Sequence, residues 1–174
     1  MGFQSTVFIN QAVGVPGELS FEGPLRAETF TIVSSSAALN IIGATACSVT
    51  SQGFCAAGNV GGALPFAGIL VDPKAVALFG VGGIPLNPTL TVPNNTIVEC
   101  ATMGSFYVTL PAAAAIGDLV VFNNTSGALS TIAPGAPLAA GTSFANAVVD
   151  YFTVTAAGPA VITMTPALVI PQPA

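Results

Sequence analysis

The chain has 174 residues, 52% of them hydrophobic, with only seven acids and two bases and a mean hydropathy of +0.82. An average globular chain is about a quarter charged, so this protein carries a nearly uncharged skin of the kind that a partner covers. The same numbers argue against nucleic acid as a ligand, because Arg26 and Lys74 are the sole cations and a row of phosphates needs many.

The length suits a single domain. Met1 to Asn10 shows neither a basic n-region nor an apolar h-region, so no secretory leader is expected and synthesis in a cytoplasm is. The most apolar stretch, Gly61 to Leu86, is interrupted by Pro65, Asp72, Pro73, Lys74 and Pro85, which denies it the roughly 18 apolar residues of a membrane helix. With no Trp and two Tyr, the aromatic girdles of a membrane barrel are missing as well. No membrane is expected as a partner.

Residues 1–27 read as an extended N-terminal arm. Alternation around Val7 and Ile9 suits a short strand, while Gly14, Pro16, Gly17, Gly23 and Pro24 prevent a helix. Four of the nine charges, Glu18, Glu22, Arg26 and Glu28, fall between residues 18 and 28, and a salt bridge from Arg26 to one of these glutamates is expected. Residues 28–174 read as one β domain. Short β-branched and aromatic runs alternate with turn clusters there, the pattern of an all-β sandwich or barrel, jelly-roll-like or tulip-like.

The predicted strands are Thr29 to Ser34, Leu39 to Ile42, Cys47 to Ser51, Gly68 to Val71, Thr89 to Val92, Ile97 to Thr102 and Phe106 to Leu110. They continue with Leu119 to Asn123, Leu129 to Ile132, Ala147 to Thr155, Ala160 to Met164 and Leu168 to Ile170. Val92 to Thr96 and Asn123 to Gly127 read as hairpin links. A single helical turn fits Pro73 to Phe79, with Asp72 as cap; a second candidate, Pro111 to Ile116, is too short to stand alone. No internal repeat is visible, which disfavours a solenoid or propeller.

The chain contains no His, so the commonest general base and the usual partner of a Ser or Cys nucleophile are missing. An enzyme would have to pair acids from Glu99, Asp118 and Asp150, but each stands alone in strand or turn sequence, where Asp118 fits a turn-supporting role. The glycine clusters at 58–62 and 80–83 lack the following helix and Lys-Ser/Thr pair of a phosphate loop. Cys47, Cys55 and Cys100 form an odd set without CxxC spacing; buried reduced thiols are the expectation, with a Cys47 to Cys55 disulfide as the alternative. No metal, no cofactor and no catalytic activity are expected.

Several blocks carry a resemblance. Met1-Gly2-Phe3-Gln4-Ser5-Thr6-Val7, running through Gln11-Ala12-Val13-Gly14-Val15-Pro16-Gly17-Glu18, resembles the start of the tailed-phage structural cement, or capsid decoration, family. Gly68-Ile69-Leu70-Val71-Asp72-Pro73-Lys74, Leu78-Phe79-Gly80 and Pro88-Thr89-Leu90-Thr91-Val92-Pro93-Asn94 are similar to its middle. Ala101-Thr102-Met103-Gly104, Val108-Thr109-Leu110, Gly117-Asp118 and Gly127-Ala128-Leu129-Ser130 are similar to its C-terminal barrel. The similar blocks span most of the chain outside about residues 34–67, where the stretch with Cys47 and Cys55 departs from the pattern.

The resemblance implies a β-rich protein on the outer surface of an icosahedral virion, made in the bacterial host cytoplasm, that clamps neighbouring major capsid subunits and associates with itself. A homotrimer is preferred, with a homodimer as the alternative. Within the arm, Phe3, Val7, Phe8, Ile9 and Phe21 would be apolar anchors for capsid and subunit contacts, and Glu18, Glu22 and Arg26 would add polar specificity. The competing reading is an adhesion or fibre subunit whose arm donates a strand to the next copy.

Overall fold

One long strand organises the molecule. The computed structural model describes residues 14–59, 64–72 and 90–165, and these form strands β1 (Leu19–Thr31), β2 (Ala46–Val49), β3 (Cys55–Ala57), β4 (Phe66–Val71), β5 (Ile97–Leu110), β6 (Leu119–Asn123), β7 (Leu129–Ile132), β8 (Thr142–Asp150) and β9 (Gly158–Met164). β5 pairs antiparallel with β4 through Ala101, with β9 from Gly104 onward, and with β1 along most of its length. The sheet order is β3-β2-β4-β5-β9-β8-β6-β7, with β1 added on β5. All strand pairs are antiparallel, and the sheet curls into a half-barrel. The all-β expectation holds in its barrel form.

The two ends of this order meet. Thr45 bridges Ala128, Ala46 N–H donates to the Gly127 carbonyl at 2.9 Å, and Asn59 N–H donates to the Asn124 carbonyl at 2.8 Å. Backbone therefore touches backbone along a seam between β2 and the β6–β7 turn. Gly127 sits there at φ +73°, and a Cβ on it would strike the Ala46 carbonyl oxygen. Both its conformation and its surroundings call for glycine.

The half-barrel holds one core on its concave side, where Ile69, Phe106, Val108, Val120, Phe122, Val149, Ile162 and Met164 pack. The Phe122 ring stacks on Phe66 with centroids 5.7 Å apart. A second core, with Ile32, Ile42, Leu70, Val92, Val98 and all three cysteines, lies on the other face of β2, β4 and β5. Side chains alternate along a strand, so Ile69 and Val71 enter the first core while Leu70 enters the second. That is why β4 is apolar without interruption rather than alternating.

Several boundaries differ from expectation. β5 is one strand, not two, because Met103 pairs with Arg26 and Gly104 with Met164; the pairing overrides the weak strand preference of Gly. Residues 39–42 and 91–92 are not strands. Ala37–Leu39 is a short 3-10 turn capped by Ser36, and the two segments share one bridge, Ile41 with Thr91. Asn40 fastens them instead, its amide donating to the Val92 carbonyl and to Asn94 Oδ1. Val92 to Thr96 is consequently a turn leading into β5 and not a hairpin, with Asn95 at φ +65°. β3 has no β-branched residue and was not expected.

The Asn123 to Gly127 hairpin is as expected, with β6 and β7 at their predicted limits. Asn123 Oδ1 accepts from the N–H groups of Thr125 and Ser126, which closes the turn. β8 lies five residues earlier at each end than expected. It stops at Asp150 because Tyr151 takes φ +64°, turning the chain out of the sheet. Among the described residues no segment of 111–116 is helical. The predicted turn at Pro73 to Phe79, Thr89 and the strand Leu168 to Ile170 lie outside the described residues.

Candidate functional site

β1 differs from the other strands in exposure. Nine of its thirteen residues are exposed, so it adds little to either core. Leu19, Phe21 and Leu25 stand out from it as large exposed apolar groups. The register breaks between Leu19 and Phe21, between Phe21 and Arg26, and between Arg26 and Ala27. The segment Glu22 to Leu25 thus leaves the ladder, as Gly23 and Pro24 favour, and carries its side chains outward.

Tyr151, between β8 and β9, completes this ledge. It is 54% exposed, and its ring meets Phe21 with centroids 6.4 Å apart. A polar chain beneath fixes its place: Ser105 Oγ lies 2.9 Å from Thr163 Oγ1, Thr163 donates to Asp150 Oδ2, and Asp150 Oδ1 accepts the Tyr151 N–H. The left-handed backbone of Tyr151 is held by that last bond. An open groove between Phe21, Pro24, Met103, Tyr151 and Met164 lies alongside. The surface is tied by hydrogen bonds on the β8–β9 side, apolar in the middle and free of charge at its rim except for Asp150 and the nearby Glu22 and Arg26.

The expected contact residues divide. Phe3, Val7, Phe8 and Ile9 lie outside the described residues. Phe21, Glu22 and Arg26 belong to β1, and within the 1–27 segment Leu19, Phe21, Arg26 and Ala27 are paired with β5. Arg26 bonds Glu28 at 2.9 Å, as expected, with both side chains more than half exposed; such a pair contributes little to stability. Glu18 was not expected beside a cavity, yet it lines one together with Asp72 and Glu99. Its backbone places it there, because Gly17 N–H donates to the Tyr107 carbonyl and Tyr107 N–H to the Glu18 carbonyl.

Two of the single acids, Asp118 and Asp150, have structural partners. Asp118 accepts the Ala115 N–H at 2.8 Å in the turn before β6, the turn-supporting role that its place after Gly117 suggests. Asp150 holds Tyr151, as described above. Tyr151 itself was missed by sequence reading because it lay within a predicted strand. The Asp-Tyr pair that ends a β-branched run was the available signal.

The three cysteines converge from β2, β3 and β5. All are buried, as expected, and free. Their sulfur atoms lie within 4.8 Å of one another. Cys55 is the most acidic, since hydrogen bonds from Cys100 and then Cys47 draw its pKa below the ordinary thiol value against the effect of burial. Hydrogen bonds with Cys100 and Cys55, and then burial, raise that of Cys47. At Cys100 the bond with Cys47 acts downward, but Cys55, burial and the charge of Glu28 carry it upward.

Among the described residues no helix is long and apolar enough to cross a membrane. A curled sheet with an outlying exposed strand and an apolar ledge is the class of fold that the chain presents. The chain belongs to the phage structural cement protein family (E217 gp24/Pam3 gp6), whose model matches residues 3–165. It therefore has a structural role in a phage capsid and a place in the virion. In fold it is similar to a chain from the capsid of Myoviridae phage XM1, at 17% identity, with a TM-score of 0.58 over 95% of this chain and 98% of that one. The search of curated proteins returns no match.

Proposed function

We propose that the protein cements a phage head from outside, binding the major capsid protein so that one copy clamps neighbouring capsid subunits. The observation that carries this reading is the ledge formed by Leu19, Phe21 and Leu25, on a strand that the fold leaves largely exposed, together with Tyr151 after β8. An exposed aromatic cluster of this kind supplies the anchors of a binding interface. The arm residues Phe3, Val7, Phe8 and Ile9 extend the same contact, and Glu18, Glu22 and Arg26 set its register. Each contact is allowed to be weak, because many copies act on one shell.

Removal of residues 2–13 tests the arm. The shortened chain keeps every described strand and is expected to show the same β-sheet circular dichroism, but to bind empty capsid shells at least tenfold more weakly. Unchanged shell binding would remove the arm from the mechanism.

The protein associates with itself in this reading, as a trimer in preference to a dimer, because capsid lattices offer many local threefold positions. Negative-stain electron microscopy of the purified chain is expected to show small closed particles with threefold symmetry. Filaments would instead support strand donation between copies. The register breaks along β1 count against that alternative, since an incoming strand needs an unbroken ladder.

A further inference from the structure

The cysteine cluster plays no part in the contact surface, and its arrangement suits a different task. We propose that Cys47, Cys55 and Cys100 form a closed three-coordinate site for a soft monovalent metal ion, Cu(I). Each thiol is 0% exposed, and each comes from a different strand of the hydrogen-bonded sheet. Metal–thiolate bonds of about 2.3 Å place three sulfurs in a plane about 4.0 Å apart. The sulfurs here lie within 4.8 Å of one another, so closing on an ion takes side-chain movements below about 1 Å, given those bond lengths.

The backbone keeps the strands at this spacing. Gly68 on β4 is paired with Cys47, and a Cβ on it would strike the backbone of Ala101, the neighbour of Cys100. A side chain at 68 would push the strands carrying Cys47 and Cys100 apart. Glycine at this one position is part of how the sulfurs converge.

The donor set selects the metal. Thiolates favour soft ions such as Cu(I) and zinc, but structural zinc is almost always four-coordinate and a three-ligand zinc site keeps a position open to water. The apolar members of the same core are Ile32, Ile42, Leu70, Val92 and Val98, and Glu28, the cross-strand partner of Cys100, is engaged at the surface by Arg26. Among the described residues the converging set contains three ligands. A closed-shell ion content with three sulfurs fits; one that requires four does not. Ligation releases thiol protons, so affinity rises with pH, and a buried site is loaded as the chain folds.

The test is to produce the full chain in cells grown with added copper or with added zinc, purify it without oxygen, and measure metal content and X-ray absorption. Copper-grown protein is expected to hold about one Cu(I) per chain with three sulfur neighbours, and to keep it against a chromophoric Cu(I) chelator. Cys47→Ala and Cys100→Ala, checked for folding by circular dichroism, are expected to lose at least a hundredfold in retention. Three inert thiols would show as wild-type protein without copper, and that overturns the proposal. So does retained copper with other than three sulfur neighbours, or zinc held at one per chain where copper is not. The coordination of the wild-type protein decides the matter even where a variant fails to fold.

Discussion

Replacing Phe21 and Tyr151 together by aspartate is expected to abolish measurable binding to empty capsid shells while leaving the fold unchanged. The two rings touch each other and are 58% and 54% exposed, so the isolated protein loses little when they go; exposed substitutions stay within about 0.5 kcal/mol. At an interface the balance is different. Aromatic anchors lost from the centre of a contact cost about 2–4 kcal/mol, or roughly 30- to 1,000-fold in affinity, and the introduced carboxylates would have to be desolvated as well. Cosedimentation with shells gives the binding and thermal unfolding gives the stability. Full shell binding with both aspartates in place would remove the ledge as the contact surface.

The second large effect concerns the seam. Gly127→Val is expected to destabilise the protein by about 3 kcal/mol or more, since it puts a β-branched residue at positive φ and drives a side chain into backbone that cannot move aside. The contacts at risk are the Ala46 to Gly127 hydrogen bond and the Thr45 to Ala128 bridge, which hold the ends of the sheet order together. For a chain of this size the melting temperature should fall by roughly 6–12 °C. A matched change at Gly135, also at positive φ but with nothing within 4 Å of an added Cβ, separates strain from collision and is expected to cost far less. Equal losses at the two positions would show that the seam is not closed through Gly127.

Local pattern reached the fold where a strand and its turn are contiguous. β6, β7 and the Asn123 to Gly127 link between them were legible because the β-branched runs and the turn asparagines act within a few residues. It failed where partners are distant. Leu39 to Ile42 has strand composition, yet its backbone bonds go to Leu90 and Val92 across a single bridge, and Cys55–Ala57 has no strand composition but is recruited by β2. Part of the candidate surface was legible in the same way. Phe21 was singled out as an apolar residue of an arm whose Gly and Pro residues deny it a core of its own, whereas Tyr151 depends on how Asp150, Thr163 and Ser105 meet across two strand pairs.

What the amino-acid sequence by itself determined is the class of the protein: all-β from its short β-branched runs, a contact-making role from a surface with nine charges, and the family from ordered blocks of residues. These properties are additive over local segments. Only the tertiary structure decided that β1 stays largely exposed beside both cores, that Tyr151 joins Phe21, and that three cysteines spread from residue 47 to residue 100 converge in one core. Each of those depends on strand register between segments far apart in the chain, and register is set by long-range backbone pairing that no local periodicity records.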